Sequence, residues 1–434
     1  MGGAFVMEGA VAQGARSGTD DEAVLIESVA AGGDGVGRLA DGMTVFVPRT
    51  APGDRVSVTG IRRRRRHAHA VVARVVAPGP DRVEPRCAHF VRDRCGGCQW
   101  QHLSAEAQAA AKRRVVGDAL RRIGALAIED PVLVPSPRTF GYRATMTLTV
   151  RWAPGGPIAG FHRDAAAEPV FALDRCEIAR DEVGALWTAL RPALAALPQG
   201  HDVRLKLRVA TDGALHVVVG GGLGAWTTPQ PLADAAAAAG LTATVWWEPA
   251  AGAVRRMAGP PADRGAVAFE QVNPEVAAAL RAAVLEAAPS PAGRALDLYA
   301  GAAEIGLALA SRGWESVSVE SDPRAAARAS ERSRRDGSAL RVVAGRVEHC
   351  LGELLPADLV IANPPRAGLD VAVTALLAER PPERLVYVSC DPATLARDLK
   401  RLGAEPARLI LRCFDMFPQT SHVETLAVLE RPGR

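Results

Sequence analysis

The sequence predicts an α/β protein, with a doubly wound parallel sheet at the C-terminus, a small β-barrel at the N-terminus and a mixed α+β region between them. Three observations carry this. From Ala295 onward, short β-branched runs alternate with helical segments, as in successive βαβ units. Residues 22–80 are short β-branched runs divided by Gly, Pro and Asp turns, the pattern of a small closed barrel. The 434 residues allow two or three domains at about 150 residues each.

Composition limits the function classes. Hydrophobic residues at 48% and charged residues at 23% describe a globular chain, and the net charge of +4 by itself argues for no partner. Of the 52 basic residues only Lys112, Lys206 and Lys400 are lysines. No apolar run approaches the ~20 residues of a membrane span. The start lacks the basic end, apolar stretch and cleavage site of a secretory signal, so a cytoplasmic protein is expected, with no membrane association and a monomeric state.

Residues 1–21 are expected to be disordered. In the barrel, strands are expected at Val24–Val29, Thr44–Val47, Arg55–Thr59 and Ala70–Val76, divided by a loop over Gly32–Arg38 and the turn Pro52-Gly53-Asp54. Arg62–Arg66, followed by His67 and His69, is the densest positive charge in the chain. It reads either as a solvated hairpin or as a phosphate-contacting loop. The central region, 81–262, holds a helix capped by Ser104, running to about Ile123 and stopped by Gly124, that carries Lys112, Arg113, Arg114, Arg121 and Arg122. Strands follow near Arg143–Trp152, Val203–Ala210, Ala214–Val219 and Ala243–Glu248, with an alanine-rich helix at Pro231–Gly240. In 263–434, strands are expected at Ala295–Tyr299, Ser316–Glu320, Leu340–Val343, Leu359–Asn363, Leu385–Cys390, Arg408–Phe414 and Thr425–Leu429, the last two close enough to pair antiparallel.

Chemistry concentrates at the expected strand ends. Asp297-Leu-Tyr299-Ala-Gly301 leads through a turn to Glu304 and Gly306, and Glu320 closes the next strand, where an acid can accept hydrogen bonds from both hydroxyls of a ribose. No G-x-G-x-x-G is present, so a nucleoside without phosphates fits better than a dinucleotide, which points to S-adenosylmethionine. Asn363 sits at a strand tip before Pro364-Pro365. Cys390 ends another strand just before a helix, where a thiolate is favoured, and reads as a nucleophile. Phe417-Pro418-Gln419-Thr420-Ser421-His422-Val423-Glu424 brings a carboxylate to the same edge, a candidate base. Cys87, Cys95 and Cys98, with Cys176 far downstream, supply four thiolates for zinc or an iron–sulfur cluster; three together and one apart favours the cluster.

These residues resemble the uracil-5 RNA methyltransferases, class I enzymes that make 5-methyluridine in ribosomal and transfer RNA. The resemblance spans nearly the whole chain. Gly33-Asp-Gly35-Val-Gly37-Arg38 and Pro52-Gly53-Asp54 are similar to a TRAM domain, and the cysteines with Gly96-Gly97-Cys98-Gln-Trp100-Gln-His102 to a four-iron, four-sulfur site. Phe269-Glu-Gln271-Val-Asn273-Pro274, Ser389-Cys390-Asp391-Pro392 and Phe417-Pro418-x-Thr420-x-His422-Val423-Glu424 match its catalytic motifs. The resemblance implies an OB-like, RNA-binding TRAM barrel over 22–80, an iron–sulfur α+β domain over 81–262 and a Rossmann-like class I methyltransferase domain over 263–434. It implies S-adenosylmethionine held by Gln271, Tyr299, Glu304, Glu320 and Asn363, and a 4Fe–4S cluster on Cys87, Cys95, Cys98 and Cys176. Cys390 would attack carbon 6 of a uracil in loop or single-stranded rRNA or tRNA, and Glu424 would remove the carbon-5 proton. The chain departs from the family pattern at Ala303, where a glycine is usual, at Glu304, at Asn363 in place of Asp, and at Asp391 in place of Asn. A second expectation from these departures is a non-catalytic RNA-binding or folding factor.

Overall fold

The structure, a computed structural model, describes residues 22–164, 169–250, 252–262 and 270–430. The expected disorder of 1–21, Phe269 and the junction at 263 lie outside the described residues.

Strands β1 (Glu22–Val29), β2 (Gly35–Arg38), β3 (Thr44–Val47), β4 (Arg55–Arg63) and β5 (Ala68–Ala77) close a barrel in the order β1-β2-β3-β5-β4. Alternation puts Val24, Ile26, Val45, Val47, Val56, Val58 and Ala68 inside. β2 occupies what the sequence presents as a glycine loop. A Cβ on Gly37 would lie 2.4 Å from Val24 Cγ1, so this glycine lets β2 lie directly against β1.

The central segment contributes α1 (Ala88–Arg92), α2 (Ala105–Arg122), β6 (Val132–Val134), β7 (Thr145–Ala153), β8 (Gly156–His162), β9 (Val170–Ala172), α3 (Asp181–Leu190), β10 (Arg204–Val209), β11 (Leu215–Gly220), α4 (Gln230–Ala238), β12 (Ala243–Glu248) and β13 (Arg255–Ala258). Seven of these strands form a sheet ordered β13-β12-β11-β10-β7-β8-β9. α3 and α4 cover one face of it, with Leu186, Trp187, Leu190 and Leu232 packed onto Leu205, Leu207, Val217 and Val245. Ser104 caps α2 as expected, its hydroxyl accepting from the Ala107 N–H.

The C-terminal segment runs α5 (Pro274–Glu286), β14 (Arg294–Leu298), α6 (Glu304–Ala310), β15 (Glu315–Glu320), α7 (Pro323–Arg335), β16 (Arg341–Ala344), α8 (Val347–Leu354), β17 (Leu359–Ala362), α9 (Val371–Glu379), β18 (Arg384–Ser389), α10 (Pro392–Arg401), β19 (Leu409–Phe414) and β20 (Glu424–Glu430). Its sheet is ordered β16-β15-β14-β17-β18-β20-β19-β6. β14 to β18 are parallel, while β20 runs antiparallel to both β18 and β19. Two pieces of the central segment belong physically to this sheet. β6 extends its edge beside β19, and α2 buries Val116 and Leu120 against Leu395, Ala396 and Leu399. Among the described residues no helix is long and apolar enough to cross a membrane.

Candidate active site

A ligand of an open parallel sheet binds beyond the carboxyl ends of its strands. Leu298 pairs with Val319 on one side and Ala362 on the other, so Tyr299, Glu320 and Asn363 stand in one row at that edge. Ser389 pairs with Thr425, and the next register position sets Cys390 across from Glu424. Five residues expected at the site, from four parallel strands and the start of β20, are thereby brought to one edge.

The turn after β14 needs left-handed backbone at Tyr299 (φ 60°), Gly301 (φ 54°) and Ala303 (φ 55°). Ala303 thus stands where glycine is favoured. Glu320 closes the turn through its Oε2, which accepts from the Gly301 N–H at 2.7 Å, while Oε1 accepts from the Asp322 N–H at 2.7 Å. Behind the turn, buried Asp297 accepts from the Gly306 N–H (3.0 Å) and the Ser318 hydroxyl (3.2 Å), and burial pushes its carboxyl up to about 6. A Cβ on Gly306 would fall 2.2 Å from Ser318 Oγ, whereas one on Gly301 would meet nothing within 4 Å, so the turn opens outward at Gly301. Gln271 is half-buried beside Asn273, the N-cap of α5, whose Oδ1 accepts from the Val276 N–H. Glu304 opens α6 and forms an exposed ion pair with Arg281 of α5.

Helix α10 does not lower the Cys390 thiol as its position suggests. Asp391 is the N-cap and takes the Thr394 N–H at 2.8 Å, so a carboxylate already occupies the positive end of the helix. Burial pushes the thiol up, the Glu424 carboxylate pushes further, and the Arg366 guanidinium opposes both. Glu424 is 5% exposed, and burial raises its carboxyl to about 7 against the pull of Arg366. This carboxyl therefore changes charge near neutrality, and its protonation eases ionisation of the thiol.

Two buried frames position this pair. Asp398, fully buried, accepts from the Tyr387 hydroxyl (2.9 Å) and the Leu369 N–H (2.8 Å), and Arg397 bonds both Asp398 and the Ala367 carbonyl. These bonds fix the 364–369 loop that presents Arg366. The loop before Glu424 is held from α2: Lys112, fully buried, pairs with Asp415 at 2.5 Å and donates to the Phe417 carbonyl at 2.9 Å. Gln108 exchanges hydrogen bonds with Gln419 through both its Nε2 and its Oε1, the Trp100 N–H donates to the Gln419 carbonyl, and the Tyr142 hydroxyl to that of Pro418. Sequence reasoning singled out none of Arg366, Asp398, Gln108, Lys112 or Tyr142 for the site. Signals were available in Arg366, which follows Asn363-Pro364-Pro365, and in Lys112, a rare lysine in an arginine-rich chain.

Cys87, Cys95, Cys98 and Cys176 line one cavity of about 90 Å³, and all four thiols are free. Burial pushes Cys95 up to about 12 and also raises Cys98 and Cys176. The Gly97 N–H donates to Cys95 Sγ at 3.4 Å. Arg143 lines the same cavity with a buried Nε that has no partner. Among the described residues no three His, Cys, Asp or Glu converge as ligands of one metal ion.

The parallel sheet closed by antiparallel β20, the barrel, and a ligand edge with an acid at the end of β15 define a Rossmann-like class I methyltransferase joined to a TRAM barrel. The model of the TRAM domain matches residues 22–72, and that of tRNA (Uracil-5-)-methyltransferase matches residues 352–432. The 23S rRNA (uracil(1939)-C(5))-methyltransferase RlmD of Azoarcus sp. is 34% identical, over 94% of this chain and 99% of its own length. An uncharacterized RNA methyltransferase of Thermosynechococcus vestitus is 33% identical over 93% of this chain and 96% of its own. The chain belongs to the RNA uracil-C5-methyltransferase family. The crystal structure of Pyrococcus abyssi tRNA (uracil-54, C5)-methyltransferase in complex with S-adenosyl-L-homocysteine shares the fold, with a TM-score of 0.72 at 24% identity over 93% of this chain and 99% of that one.

Proposed function

We propose that the chain methylates carbon 5 of a uridine in ribosomal or transfer RNA, using S-adenosylmethionine. The observation that carries this reading is the register that sets Cys390 opposite Glu424 at the ligand edge. Carbon 5 of uracil is a weak nucleophile. Attack of the Cys390 thiolate on carbon 6 forms a C–S bond and moves the ring's electron pair into an enolate, which makes carbon 5 reactive. Tyr299, Glu320 and Asn363, with Gln271 and Glu304 beside them, would hold S-adenosylmethionine, which when bound would supply an electrophilic methyl group to carbon 5 and be left as neutral S-adenosylhomocysteine. The open space at Gly301 and the absence of a phosphate-cradling turn fit a nucleoside there. Glu424 then takes the proton from carbon 5, the electron pair reforms the 5,6 double bond, and Cys390 leaves as thiolate. Arg366 faces both side chains and offsets the negative charge. The target base must leave its stack, which loop or single-stranded RNA permits at low cost.

The four cysteines are read as ligands of a 4Fe–4S cluster. Four free thiols ringing a volume rather than a point, an N–H···S bond at Cys95 and an unspent Arg143 donor suit an anionic, many-atom group. When bound it would tie the 87–98 segment to Cys176. Free thiols and this cluster fit a reducing, cytoplasmic setting.

Incubation with labelled S-adenosylmethionine and unmodified RNA should yield 5-methyluridine; equal transfer by wild type and Cys390→Ala would overturn the reading. Glu424→Gln should trap a denaturation-resistant protein–RNA adduct. The non-catalytic alternative gains nothing from the site, where nucleophile and base face each other.

A further inference from the structure

The outer face of the barrel carries a feature its core does not need. Register pairs Arg62 of β4 with His69 of β5, and His69 with Phe46 of β3, so three adjacent strands present one row, Arg62–His69–Phe46. Their neighbours Val45 and Ala68 point inward and are fully buried, which fixes the row as outward-facing. The Phe46 and His69 rings stack at 5.4 Å and 28°, and His67 stands edge-on to both, at 5.5 Å and 5.1 Å. His69 is exposed, Phe46 and His67 are half-buried, and Arg62 to Arg66 are exposed on the hairpin joining β4 to β5. Arg63 is paired with Asp41; Arg62, Arg64, Arg65 and Arg66 have no side-chain partner among the described residues. In a chain with only 4% aromatic residues, an aromatic group outside the core beside unpaired guanidinium groups is a feature to explain.

The row also leads toward the catalytic edge. His69 lies close enough to Asp34, in the loop between β1 and β2, to act on its charge. The adjacent Gly33 accepts at its carbonyl from Trp100 Nε1 at 2.9 Å, and a Cβ on Gly33 would sit 3.4 Å from Ser421 Cβ, three residues before Glu424. The Gly33 loop therefore lies between the aromatic row and the 417–424 segment that leads to Glu424.

We propose that Phe46, His67 and His69 form a stacking platform for an unpaired RNA base near the target uridine, with the Arg62–Arg66 hairpin holding the flanking phosphates. This rests on the RNA reading above and adds a second nucleotide site to it. A displaced uridine leaves neighbours that have lost a stacking partner, and an aromatic face accepts any of them, because every base has a π-face. The four guanidinium groups of Arg62, Arg64, Arg65 and Arg66 give the charge complementarity that a phosphate chain needs.

The test uses the full chain and a short single-stranded RNA that contains uridine and 2-aminopurine at successive flanking positions. Wild type should quench the fluorophore at one or two positions. Phe46→Ala should weaken binding about ten- to a hundred-fold, the worth of one stacked base, and abolish the position-specific quench. At saturating RNA it should leave kcat within about two-fold, so that the loss falls on KM. Phe46→Trp should restore both, which separates stacking from damage to the barrel; melting temperatures of the variants check the fold. Replacing Arg62, Arg64, Arg65 and Arg66 by Ser should flatten the salt dependence of binding while the quench at saturation remains. If Phe46→Ala binds RNA as wild type does while wild type methylates it, the platform is wrong and the enzyme reading stands; a face that serves a protein partner would give this result. If wild type neither binds nor methylates RNA, both readings fall.

Discussion

Glu424 offers a test in which stability and catalysis move in opposite directions. Its carboxyl is raised from 4.5 to about 7 by burial. A raised carboxyl means that the folded state holds its proton more tightly than the unfolded chain. The sign follows: below pH 4.5 both states are protonated and the group costs nothing, and between 4.5 and 7 each rise in pH destabilises the fold relative to a neutral side chain. Above 7 the full cost is present. Raising the carboxyl from 4.5 to about 7, at 1.36 kcal/mol for each tenfold gain in proton affinity, gives about 3 kcal/mol. Glu424→Gln keeps the shape and removes the ionisation. It should stabilise the protein by about 3 kcal/mol at pH 8 and by almost nothing at pH 4.5, while release of free 5-methyluridine RNA falls by the ~10²–10⁴-fold expected for loss of a general base. Urea denaturation of both proteins at pH 4.5, 6 and 8 reads the first quantity, and single-turnover formation of free, non-covalent 5-methyluridine RNA the second. For wild type the rate should rise with pH through about 7 as Glu424 ionises. A variant whose stability gain is the same at every pH, or absent at pH 8, would refute the argument that burial raises this carboxyl against the pull of Arg366.

Three further outcomes follow from the same geometry. Lys112→Met leaves the Asp415 carboxylate without its buried partner and should cost about 3–5 kcal/mol in denaturant titration, with Lys112→Met/Asp415→Asn recovering at least half. Ala303→Gly, at a left-handed position, should not cost the ~1 kcal/mol that Ala308→Gly costs inside α6, because relief of backbone strain offsets the lost methyl; equal melting losses for the two would contradict this. Cys176→Ser should abolish the visible absorbance and the bound iron and sulfide of anaerobically prepared protein, while Cys350→Ser, outside the cavity, should leave them unchanged.

The sequence fell short where packing overrode local signals. Gly35 to Arg38 read as a loop because glycine is a poor strand former, yet close approach to β1 is what a β-carbon-free strand permits. Cys390 read as a thiol lowered by a helix end, but Asp391, one residue on, took that end, and burial turned the shift upward. β6 was invisible as part of the catalytic sheet, since three residues carry no periodicity and its partner β19 lies far along the chain.

Periodicity, turn residues and the motif-bearing strand ends were enough to determine an α/β sheet preceded by a barrel, and to nominate Glu320, Asn363 and Cys390, each where a hydrophobic run stops and a polar side chain begins; Glu424, at the start of β20, came from the motif that leads into that strand, and Tyr299 from the family resemblance. Which of these residues face one another was decided only by tertiary structure: antiparallel register sets Cys390 beside Glu424, and burial at that register raises the Glu424 carboxyl to about 7. The supports of the site, Lys112 on Asp415, Gln108 on Gln419 and Asp398 on Tyr387, were equally out of reach. A buried polar group is defined by the partner that satisfies it, and two of these three partners lie some 300 residues away in the chain.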